Sequence, residues 1–255
     1  MIAPLRLEAL PANSGIITLR EAIEDSPVHA VELIRPALPE LPYRSLIDDL
    51  ARGRGFRFDF NRLEPLEALI SVTETLFRRG RFELECHAMA QDIHTLAGTI
   101  SALTQTRPTI SLRTYFAPGD LVWHVDRVDE ADAYRLVWPI GRPAGMLLTP
   151  ENNVDPAIYH GYMRREHTLL GRLDTNVLKS GRPVEELWAH RPAQLDALQT
   201  GNFPFVHNPA NVTQVNTGAA SIHRVQTPRH AGSIHRSSWQ NRHTPGVQIV
   251  ITAAA

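Results

Sequence analysis

The sequence predicts an α+β fold: a mixed, largely helical preface over residues 1–107, a β-barrel core over 108–252, and a helical insertion over 155–200. Three observations predict it. A long apolar stripe at three- and four-residue spacing marks a helix ending near residue 104. Short β-like runs with turn residues between them then follow one another closely, as in an antiparallel sandwich or barrel. Two helical stretches break into that series, and strands resume after them.

Taken in order, Val28-His29-Ala30-Val31-Glu32-Leu33-Ile34 is an apolar-biased run halted by Pro36, and it reads as a strand. Residues 42–52 read as a helix, and Phe56-Arg57-Phe58-Asp59-Phe60 alternates with the period of a half-buried strand. Between Phe82 and Thr104, the side chains Ile93, Leu96, Ala97, Ile100 and Leu103 share one helical face. His87 and His94 lie on roughly one side of that helix, where packing is a far commoner duty for histidine than metal ligation. Thr109–Phe116, Asp120–Val125, Ala133–Pro139 and Ala144–Leu148 read as strands. They are divided by Pro118-Gly119, by the acidic stretch around Asp129 and by Gly141-Arg142-Pro143. The insertion holds helices around Tyr159–Leu178 and Val184–Leu198, parted by Lys179-Ser180-Gly181-Arg182-Pro183. Long excursions from a rigid barrel often serve as lids or substrate walls. Strands return at Asn211–Val215, Ala219–Val225, Ala231–Arg236 and Val247–Thr252, and one domain spanning 1–255 is expected.

Composition excludes several classes. With 26 basic and 27 acidic residues in 255, the net charge is -1, so nucleic-acid binding by bulk charge is disfavoured. Lys179 is the only lysine, so the remaining cations are arginines, through genomic base composition or through a need for forked anion-binding side chains. Cys86 is the only cysteine, which rules out an intrachain disulfide or a thiolate metal cluster. No run approaches the roughly 18 apolar residues of a membrane span, and Met1–Glu8 lacks the pattern of a signal peptide. A soluble, cytoplasmic protein is the expectation. Phosphate-binding loop, dinucleotide fingerprint, H-E-x-x-H and G-x-S-x-G are all absent.

Histidine stands out instead. Of the 12 in the chain, His124 sits in Trp123-His124-Val125-Asp126, and a group lies between His207 and His243. Residues i and i+2 of a strand share a face, so His124 and Asp126 are expected to project together. An imidazole and a carboxylate so placed, joined by a second imidazole from another strand, form the 2-His-1-carboxylate set that holds Fe(II) with open positions. H-x-D alone is a short motif that arises often by chance.

Its context carries a resemblance. The run Leu112–Asp126, with Tyr115, the Pro118-Gly119-Asp120 turn and Trp123-His124-Val125-Asp126, resembles the first metal-binding strand of Fe(II)/2-oxoglutarate-dependent oxygenases. Ala231-Gly232-Ser233-Ile234-His235-Arg236-Ser237 resembles the strand that carries their distal histidine, and the similarity spans about residues 108–252. The resemblance implies a double-stranded β-helix (a jelly-roll, cupin-like barrel), with Fe(II), 2-oxoglutarate as cosubstrate, and O2. It implies His124, Asp126 and His235 as metal ligands. His223 competes, because Ser221-Ile222-His223-Arg224 nearly duplicates Ser233-Ile234-His235-Arg236, but His235 is one strand from the end, where the distal histidine belongs. The family also places an Arg or Lys about ten residues after that histidine, pairing with the far carboxylate of the keto acid. Here the place reads Thr244-Pro245-Gly246-Val247-Gln248, with no cation. Arg242 is the nearest substitute, and Arg236, Arg135 or Arg113 can reach in from neighbouring strands. Arg242, Arg236, Tyr115 and Arg135 are therefore expected to bind cosubstrate, and Trp123 and Arg113 to line the substrate site. No catalytic residue beyond the ligands is implied. A small-molecule substrate is the expected partner, with neither nucleic acid nor membrane. The same His/Asp set also suits a cupin-like metal protein or metal-dependent hydrolase, and a barrel scaffold also suits a non-enzymatic binding protein.

Overall fold

The structure is a computed structural model and describes residues 2–5, 14–52, 57–60, 65–76, 80–115, 118–166, 182–244 and 246–255. In its first part, strands β1 (Ala3–Leu5), β2 (Ala30–Leu33) and β3 (Arg57–Phe60) alternate with helices α1 (Ser14–Asp25), α2 (Arg44–Arg52), α3 (Leu66–Leu76) and α4 (Glu83–Thr104). Then come β4 (Thr109–Tyr115), β5 (Ala133–Ile140), β6 (Leu147–Thr149) and a helix α5 at 156–166. Helices α6 (Val184–Trp188) and α7 (Pro192–Thr200) precede β7 (Thr213–Gln214), β8 (Ala220–Arg224), β9 (Ile234–Arg236) and β10 (Gly246–Ala254). Residues 167–181, which include the rest of the helix expected to reach Leu178 and the Lys179-Ser180-Gly181 turn, lie outside the described residues.

Seven strands form one sheet in the order β1-β2-β8-β5-β10-β4-β3, and three form a second, β7-β6-β9. Pairing is antiparallel except between β1 and β2. Among the described residues the strands make two sheets rather than one hydrogen-bonded ring.

Strand alternation sorts the large sheet into two faces. Ile110 and Leu112 of β4, Leu136 and Trp138 of β5, Ile222 of β8 and Ile249 and Ile251 of β10 belong to one apolar core. Against them pack Leu19 and Ile23 of α1, Leu46, Ile47 and Leu50 of α2, and the α4 stripe of Met89, Ile93, Leu96, Ile100 and Leu103. Each such buried side chain contributes about 1.5–3 kcal/mol of transfer free energy, which is what ties the helical preface to the sheet. His87 is exposed and His94 half-buried on α4, and among the described residues neither joins a metal-ligand group.

The intervening residues point the other way. Arg113, Arg135, Val137, Gln248 and Val250 line a cavity there, and Ser221 and His223 are buried. The second sheet and the residues before β5 lie across this face. Asp120–Val125 is not the expected strand. Pro118–Leu121 turns as a short 3-10 helix, and only His124 pairs, through an isolated antiparallel bridge to His235 of β9. A second apolar cluster, with Trp123, Tyr159, Tyr162, Trp188, Phe203 and Phe205, packs α5, α6 and α7 together. The helical stretch expected over Val184–Leu198 is two helices, with Pro192 in the first turn of the second, where its missing N–H costs nothing.

Candidate metal centre

His124 and His235 face each other because their residues exchange both backbone hydrogen bonds, each at 2.9 Å. Their rings lie 4.3 Å apart between centroids. Each ring is oriented by its own backbone. His124 Nδ1 donates to the Val122 carbonyl at 2.9 Å, and His235 Nδ1 to that of Ser233 at 3.0 Å. A proton fixed on Nδ1 leaves the Nε2 lone pair outward, the form in which imidazole binds a metal.

Asp126 enters from the same loop but is held by the large sheet. Arg135 Nη1 of β5 reaches its Oδ1 at 2.5 Å, and His223 Nε2 of β8 lies 3.5 Å from its Oδ2. Arg135 and His223 are cross-strand neighbours, so both present side chains to the same point. His235 Nε2 lies 3.5 Å from the same Oδ2. One ligand atom from each of His124, Asp126 and His235 falls within 4.8 Å of the others, so a His/Asp/His triad is present.

The electrostatics match. Burial pushes the Asp126 carboxyl up, but the His223 contact and the charges of His235, Arg135 and His124 outweigh it and hold the group far below the ordinary carboxylate range. Burial pushes His223 down, and burial with the neighbouring His124 pushes His235 well down, which disfavours the charged form of both. His223 is 0% exposed and neither of its ring nitrogens has a hydrogen-bond partner.

Two spaces meet at the triad. An inner cavity of about 280 Å³ is lined by the three triad residues together with Arg113, Arg135 and Gln248. A larger groove of about 930 Å³ also has His124 and Asp126 in its wall, opposite residues of α5. Arg113 Nε donates to Gln248 Oε1 at 2.7 Å, across the register pair that joins β4 and β10. Gln248 holds the position where the sequence lacks a late cation, and its strand neighbour supplies one. Sequence reasoning passed over Gln248, although a glutamine between Val247 and Ile249 marks the polar face of an otherwise apolar strand.

Arg242 and Trp123, also expected at the site, are placed elsewhere. Arg242 donates to Glu185 Oε1 at 2.5 Å and stacks 4.7 Å over Trp239, so its charge is already neutralised and it does not line the inner cavity. Trp123 is buried, edge-on to Phe203 at 6.1 Å, as a core residue and not a pocket wall. Arg236 follows His235 on the strand and is among the residues lining the inner cavity, with its guanidinium 5.4 Å from the Trp123 ring and 5.0 Å from that of Phe203. Burial lowers its pKa to about 10. Tyr115 ends β4, and its side chain lies outside the described residues.

No family model matches the sequence, and no curated protein matches it. Solved structures similar to it include the dioxygenase for auxin oxidation 1 from Arabidopsis thaliana in a binary complex with 2-oxoglutarate. That likeness has a TM-score of 0.48 and 8% identity, over 99% of this chain and 91% of that one. The dioxygenase for auxin oxidation in rice gives 0.46 and 12%, over 100% and 83%. AviO1 from Streptomyces viridochromogenes gives 0.30 and 14%, over 83% and 95%.

Proposed function

We propose that this chain is a non-haem Fe(II) oxygenase that uses 2-oxoglutarate and O2 to hydroxylate or otherwise oxidise a small molecule. The observation that carries the reading is the triad itself: two imidazoles whose Nδ1 atoms donate to backbone carbonyls and one carboxylate, converging at the meeting point of two cavities. That donor set suits ferrous iron. His124, Asp126 and His235 would hold it. Bound together, iron and keto acid would supply the oxidation of a substrate C–H bond, at the expense of O2 and 2-oxoglutarate and with release of succinate and CO2.

The chain's own part is placement. Arg113, steered by Gln248, meets the far carboxylate of the keto acid in the inner cavity, a fork-to-carboxylate contact. Arg135 keeps Asp126 ionised and oriented. Val137, Met146 and Val250 give that cavity its apolar lining and limit water. The same reading makes the strands a double-stranded β-helix. One half is β8-β5-β10-β4, and the other is β7-β6-β9 closed by the His124 bridge. It also makes the described elements one domain, working in the reducing cytoplasm without nucleic acid or membrane. No described helix is long and apolar enough to cross a membrane.

Anaerobic Fe(II) titration with and without 2-oxoglutarate tests the proposal. A weak visible charge-transfer band that appears only with both is expected. The alternative, a cupin-like metal protein or metal-dependent hydrolase, draws on His223 as a further imidazole beside the triad. Tight Zn(II) binding with no band under any keto-acid concentration would favour it.

A further inference from the structure

The outer groove has a chemical character of its own. Helix α5 buries Tyr159, Tyr162 and Glu166 against the second apolar cluster, with Met163 half-buried beside them, so His160 and Arg164 turn to the exposed side. His160 and Arg164 line the groove together with Met163 at the edge of the cluster and with His124, Val125, Asp126 and Arg127. Arg127, His160 and Arg164 are exposed, while Val125 and Met163 are half-buried. Among the described lining residues the one carboxylate is Asp126, and Arg135 pairs with it. Among the described residues, the groove that reaches the triad beside α5 thus carries the cationic side chains Arg127 and Arg164, with His160 between them in sequence.

We infer that this groove takes an anionic small molecule, an oxyanion (carboxylate or phosphate) carried on an apolar body, with Arg127 and Arg164 gripping the oxyanion. Guanidinium forks match the paired oxygens of either group. The body lies against Val125 and Met163. A volume of about 930 Å³ accommodates a molecule of ordinary metabolite or drug size. Because His124 and Asp126 form the facing wall, such a ligand presents its carbon skeleton to the metal position while its charge stays at the rim. The inference rests on the oxygenase reading for what happens at that position, but the anion grip stands on the arginines.

The test uses the full chain loaded anaerobically with Mn(II) and saturating 2-oxoglutarate, so that the inner cavity is filled. Four probes are compared: 4-phenylbutyrate, 3-phenylpropyl phosphate, 4-phenylbutanamide and 4-phenylbutylamine. Proton relaxation by the bound Mn(II) reports which of them lies near the triad. At least one of the two anions is expected to be relaxed, and the amide and amine not. Arg127→Gln and Arg164→Gln should each weaken that anion by about tenfold or more, the scale of one lost charge-assisted contact. Equal relaxation of the neutral or cationic probe, or anion binding unchanged in both variants, overturns the inference. Calorimetry on the metal-free proteins reads the arginine dependence alone. A chain that binds the anion through Arg127 and Arg164 yet takes up no Mn(II) keeps the groove assignment and overturns the oxygenase reading instead.

Discussion

At the residue scale, the two histidines of the triad and its carboxylate are positioned by different means, and their removal should differ from removal of a neighbour. Asp126→Ala and His235→Ala are expected to abolish stoichiometric Fe(II) uptake, measured on anaerobically loaded protein, because each deletes a converging ligand atom. His223→Ala should keep the stoichiometry, since His223 stands behind Asp126 and outside the converging set. Loss of iron in that variant with retention in His235→Ala would transfer the distal role. For the cosubstrate, Arg113→Gln should weaken 2-oxoglutarate binding by at least about tenfold, roughly 1.4 kcal/mol, with Fe(II) binding little changed. Arg242→Ala should leave keto-acid affinity as it was, because Glu185 already holds that guanidinium. Calorimetry on both variants decides between them. The H-x-D pair was legible in sequence, but the reason given for it was not the one that operates. No strand aligns His124 with Asp126; the bridge of His124 to His235, the hydrogen bond from Gln226 N to the Asp126 carbonyl and the Arg135 contact do. Arg242 looked well placed because distance along the chain was the only ruler available. Its partner Glu185 comes from the helical insertion, which sequence spacing does not relate to β9. Arg113 was read as a substrate contact because only the strand register brings Gln248 beside it.

At the element scale, α5 owes its position to a buried fork. Arg191 donates through Nη1 and Nη2 to the two Glu166 oxygens at 2.8 and 2.9 Å, with Glu166 1% exposed. This pair ties the end of α5 to the start of α7. Breaking one partner of a buried pair strands the other charge, at a cost of about 3 kcal/mol. Glu166→Gln should lower urea-unfolding stability by that amount, and Glu166→Leu combined with Arg191→Leu should recover most of it. A loss below about 0.5 kcal/mol in the single variant, the range of ordinary surface substitutions, would mean the fork is idle. The existence of most elements was readable from periodicity: β2, α2, β3, α4, β4 and β5 all fall where the alternation or the apolar stripe put them. Trp123 was not readable, because the side chain that buries it, Phe203, arrives after the whole insertion. The three-residue β1 gave no signal, being too short to show a period.

At the scale of the whole molecule, acid should unfold the metal-free protein earlier than its near-neutral charge suggests. His223 and His235 have folded pKa values lowered from 6.5, chiefly by burial, so the unfolded chain binds more protons than the folded one below about pH 6.5. Stability is therefore full above that pH and falls as pH drops through the window, by up to about 1.4 kcal/mol per unit for each histidine. Asp126, whose pKa is also lowered, acts in the same direction but only in stronger acid, below its unfolded value of 3.8. Thermal melts from pH 7.5 to 5 should show the decline, and His223→Gln should flatten it. A melting temperature constant across that range would mean that these imidazoles are hydrated.

The division of the triad between the two sheets has one more result. Asp126 is braced by β5 and β8, whereas His124 and His235 are stitched to each other on the second sheet. An ion taken up there is a clasp between two layers, not an ornament on one. Whatever free energy it gains on binding is returned as added resistance to prying those layers apart. Affinity for the ion and stiffness of the molecule are then one property seen from two sides: a substitution that loosens the seam weakens the grip, and a filled site makes both layers open together.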